Sequence, residues 1–562
     1  MRGDRAAAAG STRDRAPGRV ASGPFGGPAG GGAARAVALL SQLRPRRQRR
    51  RAVVGLRARG RRRADRVTGY LRRLVSSLAA YQVADVVSKF IAVLLLPVYT
   101  RYIAPSGYGV VELLANGVIF LSILVRFGTI EAFLRFYFSD SDRERRDALA
   151  RRAVAFLLIA STVAAVVLAV FAGPLSRVVL SHRDTTTFLI AVLGLWAFTN
   201  LELAYALLRV DERLRIYASA SLINVGITIV ASVVLVVGLH QGVRGLLLGN
   251  YGASTLVLLG LWWTLRARLH PRSRRRRGGE PLPLLLRFGL PTVPAEISVY
   301  ALSVVDRYYI YHDRGQSLAG LYSIAIKLAG TVAFMVRAFQ YAWPPLAYSV
   351  TDEAHAARLY GLVTTYYVLV CGWVVGGIAL LGRWALRLLT AHDFYGAYRA
   401  LPWVALGWAM YGLWVVFLVI AGRAKVTMRN FPASLAGLVA NVVLLVVLVP
   451  ALGIAGAGIA LCGAYVAMLG AMHLLTRRAF AVSFEWRRLA QLVAVIGGVA
   501  VGGELLLPTH GALGLLSRAA AFAAIPPLLY VTGFAHPGEL SQARGLLGRL
   551  RRASVRPAGG AA

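Results

Sequence analysis

Acidic residues are scarce in this chain: 24 Asp and Glu stand against 64 Lys and Arg in 562 residues, a formal net charge of +40. Cysteine is nearly absent. The two that occur, Cys371 and Cys462, each lie inside an apolar run, which excludes a disulfide framework and a thiolate site for zinc or iron–sulfur. The nine histidines show no ligand spacing, so neither a metal nor a cofactor is expected. Also missing are a phosphate-cradling Gly-Lys loop, an HExxH helix and a nucleophile elbow. No long outer connection exists either: the longest, about 382–399, has fewer than twenty residues. A membrane-bound glycan polymerase or transferase would need a larger outer segment to hold its acceptor, and the chain is not expected to be an enzyme.

What the chain has instead is apolar length. It is 57% hydrophobic with a mean hydropathy of +0.60, far more than soluble cores require, so it reads as an all-α integral membrane protein. The positive charge is not a nucleic-acid signature, because Lys and Arg concentrate in the tails and in alternate connections. Fourteen stretches are long enough to span a bilayer, near 77–101, 110–127, 151–172, 186–208, 217–238, 245–265, 289–311, 318–342, 360–382, 400–421, 432–450, 454–475, 490–507 and 513–533. Placing the amino terminus in the cytoplasm puts about 26 Lys and Arg in cytoplasmic connections against about 9 outside. Both termini are then cytoplasmic, and the Ala, Arg and Gly bias fits a bacterial plasma-membrane protein.

The organisation expected is a disordered basic tail over 1–70, a first lobe over 71–265, a basic cytoplasmic linker over 266–288, a second lobe over 289–480, an appended helix pair over 481–535 and a tail over 536–562. An offset of 214 residues pairs Arg209 with Arg423, Arg215 with Arg429, Tyr217 with Phe431, Gly249 with Gly463 and Tyr251 with Tyr465. Such repeats are common in transporters built around a central site, so two pseudo-symmetric six-helix lobes are expected.

Charges inside the apolar spans carry the functional expectation. Lys89 sits near the middle of the first span, one turn after Asp85, where a charge costs roughly 2.5 to 3.5 kcal/mol and so faces protein or water. Two readings stand: a cation lining a cavity for an anionic substrate, or an i,i+4 ion pair with Asp85. Lys327 occupies the same depth in GLYSIAIKLAGTVAF, and with Lys89 it would make a positively charged chamber floor. In GLPTVPAEISVYALSVVDRYYIYHD, Pro291 and Pro294 predict a broken helix, with Glu296 a candidate proton or sodium site. Asp306 and Arg307 are either part of an outer gate or ordinary interfacial charges. Arg126 and Arg135 have the guanidinium fork suited to phosphate, and Arg135 is expected to snorkel to the surface instead. Glu202 and Arg337 are weaker candidates, while Glu504 and Arg518 read as structural.

The segment YQVADVVSKFIAVLLLPVYTRYIAPSGYGVVELL, then FGTIEAFLRFYFSD, GLPTVPAEIS, the Asp306-Arg307 pair and GLYSIAIKLAG resemble the polysaccharide biosynthesis family of oligosaccharide flippases, over roughly residues 77–480. That family lies in the multidrug, oligosaccharidyl-lipid and polysaccharide exporter superfamily. The resemblance implies two lobes in a V, alternating access, and transport of a polyprenyl-diphosphate-linked glycan from the cytoplasmic to the outer leaflet. It also implies that cations in the first lobe and in helix 8 hold the diphosphate, a role that Lys89 and Lys327 could fill; the residues themselves add Arg126 as a candidate phosphate contact and Asp85, Glu296, Asp306 and Arg307 as candidates for ion coupling or gating. The partners implied are a lipid-linked glycan as substrate, membrane lipids and a polysaccharide polymerase, with no nucleic acid. A cation-coupled multidrug antiporter is the principal alternative.

Overall fold

The computed structural model describes residues 91, 93–139, 142–269 and 282–534. Asp85 and Lys89 lie outside the described residues, as do the basic tail over 1–70, most of the first expected span, the centre of the basic linker and the carboxyl-terminal tail.

The first lobe contains α1 (Leu96–Tyr102), α2 (Pro105–Arg126), α3 (Thr129–Ser139), α4 (Arg143–Val170), α5 (Ala172–Leu180), α6 (Thr185–Val210), α7 (Leu214–Val233) and α8 (Gly242–Leu269). The second contains α9 (Leu282–Gly289), α10 (Val293–Arg314), α11 (Gln316–Ser349), α12 (Glu353–Leu389), α13 (Leu401–Arg423), α14 (Asn430–Leu452) and α15 (Ile454–Thr476). Helices α16 (Trp486–Leu506) and α17 (Gly511–Val531) pack on each other and on α12. No strand occurs among the described residues. We call the end of the bundle that carries the 270–281 connection the linker end, and the opposite one the distal end.

Twelve helices among the described residues are long and apolar enough to cross a membrane, against the fourteen expected. The difference has two sources. Most of the first span is outside the described residues, and α10, at 22 residues long enough, is too polar to qualify. Glu296 and Arg307 are paired across the lobes and Asp306 within the second lobe, so protein rather than lipid solvates them.

Local sequence explains where helices stop. Pro105 opens α2 at a position whose backbone N–H would be unpaired anyway. Phe127 and Gly128 both take left-handed backbone angles (φ 50° and 66°), which ends α2 and turns the chain into α3. Gly315, at φ 93°, is the single residue between α10 and α11. Pro291 and Pro294 interrupt the helix as predicted, leaving a 3-10 turn over Leu290–Thr292 between α9 and α10.

Gly249 brings α8 against the main chain of Ser232, while Gly463, paired with it at the offset of 214, brings α15 against the side chain of Leu444 on α14. The largest apolar core is shared between the lobes, with Tyr108 and Leu113 of α2 packed among Tyr322, Ala329 and Phe394. A separate core holds the linker half of the first lobe around Phe133, Leu157, Leu207 and Leu261.

Asp184 caps α6: Oδ1 accepts from the Thr187 N–H at 3.2 Å and from Arg244 Nη2 at 3.1 Å, and Oδ2 accepts from the Thr187 hydroxyl at 2.6 Å. Partial burial raises its pKa, but these donors outweigh burial and hold it below the usual carboxylate value. A carboxyl depressed in the folded state stabilises above its unfolded pKa, about 3.9, and loses that contribution as pH falls through the lower folded value. Asp184→Ala should therefore lower stability at neutral pH by about 1 kcal/mol, read as a lower melting temperature in detergent, with the gap to wild type closing in acid.

A polar seam between the two lobes

Helix α2 of the first lobe lies against α10 and α11 of the second, and the charged residues of all three meet along this contact. Lys327, mid-way along α11, donates from Nζ to the Tyr108 hydroxyl at 2.6 Å and forms an ion pair with Glu112 Oε1 at 2.6 Å, both on α2. It also stands over the Tyr108 ring, 4.6 Å from its centroid. One turn further along α2, Asn116 Oδ1 accepts from Arg307 Nη1 at 2.6 Å and from the Tyr300 hydroxyl at 3.2 Å, both on α10. Although Lys327 lies deep in the bundle, 37% of its side chain is accessible, so open space reaches it.

Nearer the linker end, Arg126 Nη2 meets Glu296 Oε1 at 2.7 Å. Glu296 sits in the first turn of α10, where the helix dipole favours a carboxylate. Two residues singled out separately in the sequence thus form one inter-lobe ion pair. Asp306 and Arg307, adjacent in sequence, point different ways: Arg307 crosses to the first lobe, while Asp306 is buried inside the second. Asp306 Oδ2 accepts from the Tyr322 hydroxyl at 2.8 Å and Oδ1 has no partner. Asn441 of α14, fully buried, approaches the same carboxylate without closing a hydrogen bond of ordinary length.

Lys327, one of the two cations of the expected chamber floor, is not a free cation: its charge is paired with Glu112. Arg307, held on Asn116 one turn further along α2, leaves this part of the seam with a net positive charge. Arg135 is exposed and stands 4.7 Å from the centroid of the Phe288 ring of α9. Glu504 and Arg518 are structural, as expected: Arg518, fully buried, donates to Glu504 Oε2 at 2.8 Å and to the Leu507 and Pro508 carbonyls. Glu112, Asn116 and Asn441 were not singled out from the sequence. Glu112 satisfied the same criterion as Lys327, a charge in the middle of an apolar span.

Backbone contacts close both ends of the seam. A Cβ on Gly109 would overlap the Gln316 carbonyl, and one on Gly320 would overlap the Pro105 carbonyl, so α2 and α11 touch main chain to main chain at the distal end. Tyr311 and Gln316 both donate to the Leu180 carbonyl there, at 3.1 and 3.2 Å. At the linker end, Gly128 and Gly289 make the equivalent contact, each excluding a Cβ on the other. Glycine is required at these four positions because backbones cannot approach this closely with side chains between them.

Comparison with known proteins gives a family match over part of the chain and a shared fold over most of it. Residues 74–346, just under half the chain, match the family described as polysaccharide biosynthesis protein. The match ends within α11, short of the 480 expected. The lipid II flippase MurJ, in an inward closed conformation, superimposes with a TM-score of 0.63 at 13% identity, covering 82% of this chain and 99% of that one. A multidrug resistance MATE transporter in an inward-facing conformation gives 0.57 at 16% identity, covering 72% of this chain and 94% of that one. No curated protein matches in sequence.

Proposed function

We propose that the protein is a flippase carrying a polyprenyl-diphosphate-linked oligosaccharide across the bacterial plasma membrane by alternating access, with the linker end in the cytoplasm. The observation that carries this reading is Lys327: a buried-depth cation, accessible from open space, bound across the lobes to Glu112 and Tyr108. A diphosphate must leave water to cross a membrane and needs countercharge within it, while its lipid tail stays in the bilayer. On entering the seam it would displace Glu112 from Lys327. That exchange breaks an inter-lobe bond, which is how substrate binding would be coupled to lobe movement. Arg126 would act in the same way at the linker end, released from Glu296. Lys89, from the first span, would supply a further cation, with Asp85 beside it.

Outward movement of negative charge is favoured by an inside-negative potential by roughly 2.3 kcal/mol per charge per 100 mV. Coupling to a cation falls most naturally to Asp306, whose unpartnered oxygen and unpartnered neighbour Asn441 together leave buried acceptor capacity for a proton or a sodium ion. Asp306→Asn should leave substrate binding intact and reduce transport at least about tenfold, removing its dependence on the sodium or proton gradient; unchanged gradient dependence would exclude Asp306 from coupling.

A cation-coupled multidrug antiporter remains the second reading, favoured by the compensation of Lys327, which leaves the seam less cationic than a dedicated anion site. Deleting the gene separates the two. The flippase reading predicts accumulation of one lipid-linked glycan on the cytoplasmic leaflet with loss of a surface polysaccharide; the antiporter reading predicts increased sensitivity to lipophilic cations with the surface unchanged.

A further inference from the structure

Away from the seam, α12, α13 and α16 enclose an apolar groove of about 530 Å³. Glycines make the space: Gly372, Gly376 and Gly382 line it from α12, and Gly497 lines it from α16. A Cβ on Gly497 would meet nothing within 4 Å, so it looks into the open groove. The lining runs along α12 from Val368 to Arg383, about 22 Å, and along α16 from Leu492 to Glu504, about 18 Å. Half of a hydrocarbon core is about 15 Å. The groove therefore matches one leaflet together with its headgroup layer.

Its distal mouth is unusual in charge. Arg383 and Arg399 line it, and Arg387 and Arg518 stand close by, anchored to Thr509, Pro508 and Leu507 carbonyls. Glu504 answers two of these four arginines, pairing with both Arg383 and Arg518. Asp393, the other acid of the adjoining loop, is exposed beside His392. Arg399 is exposed with no partner among the described residues. The distal side of this chain carries few Lys and Arg, so a cluster of them around one groove stands out against the orientation bias.

We infer that this groove is a binding site for an anionic phospholipid of the distal leaflet, its acyl chain along α12 and α16 and its phosphate on Arg399. An apolar groove as long as one leaflet, running along two helices apolar enough to span a bilayer, fits an acyl chain. The excess of guanidinium over carboxylate at its mouth selects phosphate with a net negative headgroup over a zwitterionic one. The site is separate from the seam, and its occupant is a resident lipid of the bilayer.

The test uses the full-length protein in nanodiscs containing equal phosphatidylglycerol and phosphatidylcholine, extracted into detergent and weighed by native mass spectrometry. Wild type should retain phosphatidylglycerol, with preference over phosphatidylcholine of at least about fivefold. Arg399→Ala should abolish the preference while retaining lipid, and Gly497→Leu, which fills the groove, should lose retained lipid of both kinds. Folding of each variant is checked by a single symmetrical size-exclusion peak and a melting temperature within a few degrees of wild type; should Gly497→Leu not fold, Ala500→Leu tests the same space. Retention unchanged in the groove-filling variant would overturn the proposal, as would equal retention of the two lipids by wild type. Displacement of the retained lipid by a polyprenyl phosphate added in equal amount would also overturn it, since the groove would then belong to the substrate's path.

Discussion

On the flippase reading, Lys327→Ala is expected to lower glycan export by about a hundredfold while the protein still reaches the membrane. Losing the cation that meets phosphate removes a charge-assisted contact worth about 3 kcal/mol at the upper end of the usual range. The same change strands the carboxylate of Glu112, 13% accessible and left without its cation, and so lowers stability as well. Stability and function can be separated with a second substitution. In Lys327→Ala/Glu112→Ala the stranded charge is gone, so the melting temperature should recover towards wild type, but export should not, because the cation that meets phosphate is still missing. Export restored in the double variant would assign Lys327 a structural role only. The measurement is surface polysaccharide per unit of membrane-inserted protein.

Side chains at the glycine seals should trap the protein in opposite states. Gly320→Val puts a branched Cβ where the Pro105 carbonyl lies and so holds the distal end open; Gly289→Val does the same to the linker end against Gly128. Each should reduce export more than about tenfold, because a main-chain overlap cannot be relieved by a rotamer change and every transport cycle must close both ends. A cysteine at Gly330 reports which end is open. It lies one turn from Lys327 on the same helix face, and a Cβ there meets nothing within 4 Å. With Cys371 and Cys462 replaced by alanine, Gly330→Cys should react with a membrane-impermeant thiol reagent from the distal side in the Gly320→Val background and from the linker side in the Gly289→Val background. Reaction from the same side in both would show that the two glycine contacts are not opposing seals.

The chain announced its fold through long apolar periods and alternating basic connections, because membrane insertion imposes both directly on sequence. Thr427–Leu452 and Ile454–Thr476 were visible as spans for this reason. α10 was visible by length but is not apolar, since Glu296, Tyr300 and Arg307 are satisfied by the first lobe and Asp306 by Tyr322, partnerships that are properties of the fold. The site was legible one residue at a time. Arg126, Glu296, Arg307 and Lys327 each stood out as intramembrane charges, yet nothing in their spacing showed that Arg126 meets Glu296 across 170 positions or that Lys327 meets Glu112 across more than 200. Long-range pairing has no local signature. Glu112 carries the same signal as Lys327, a charge within an apolar span, and its role shows only once Lys327 is seen against it. The glycine seals were hidden by abundance: 58 glycines offer no way to tell four contact positions from the rest.

The account rests on Lys327 exchanging one anion for another, Glu112 for a diphosphate. Calorimetric titration of the purified full-length protein with farnesyl diphosphate tests that exchange at its source. Lys327→Ala should weaken binding at least about tenfold, and Glu112→Gln should tighten it by about the same factor, because the competing carboxylate is gone while the cation stays. Equal affinity in wild type and both variants, or weaker binding in Glu112→Gln, would contradict it.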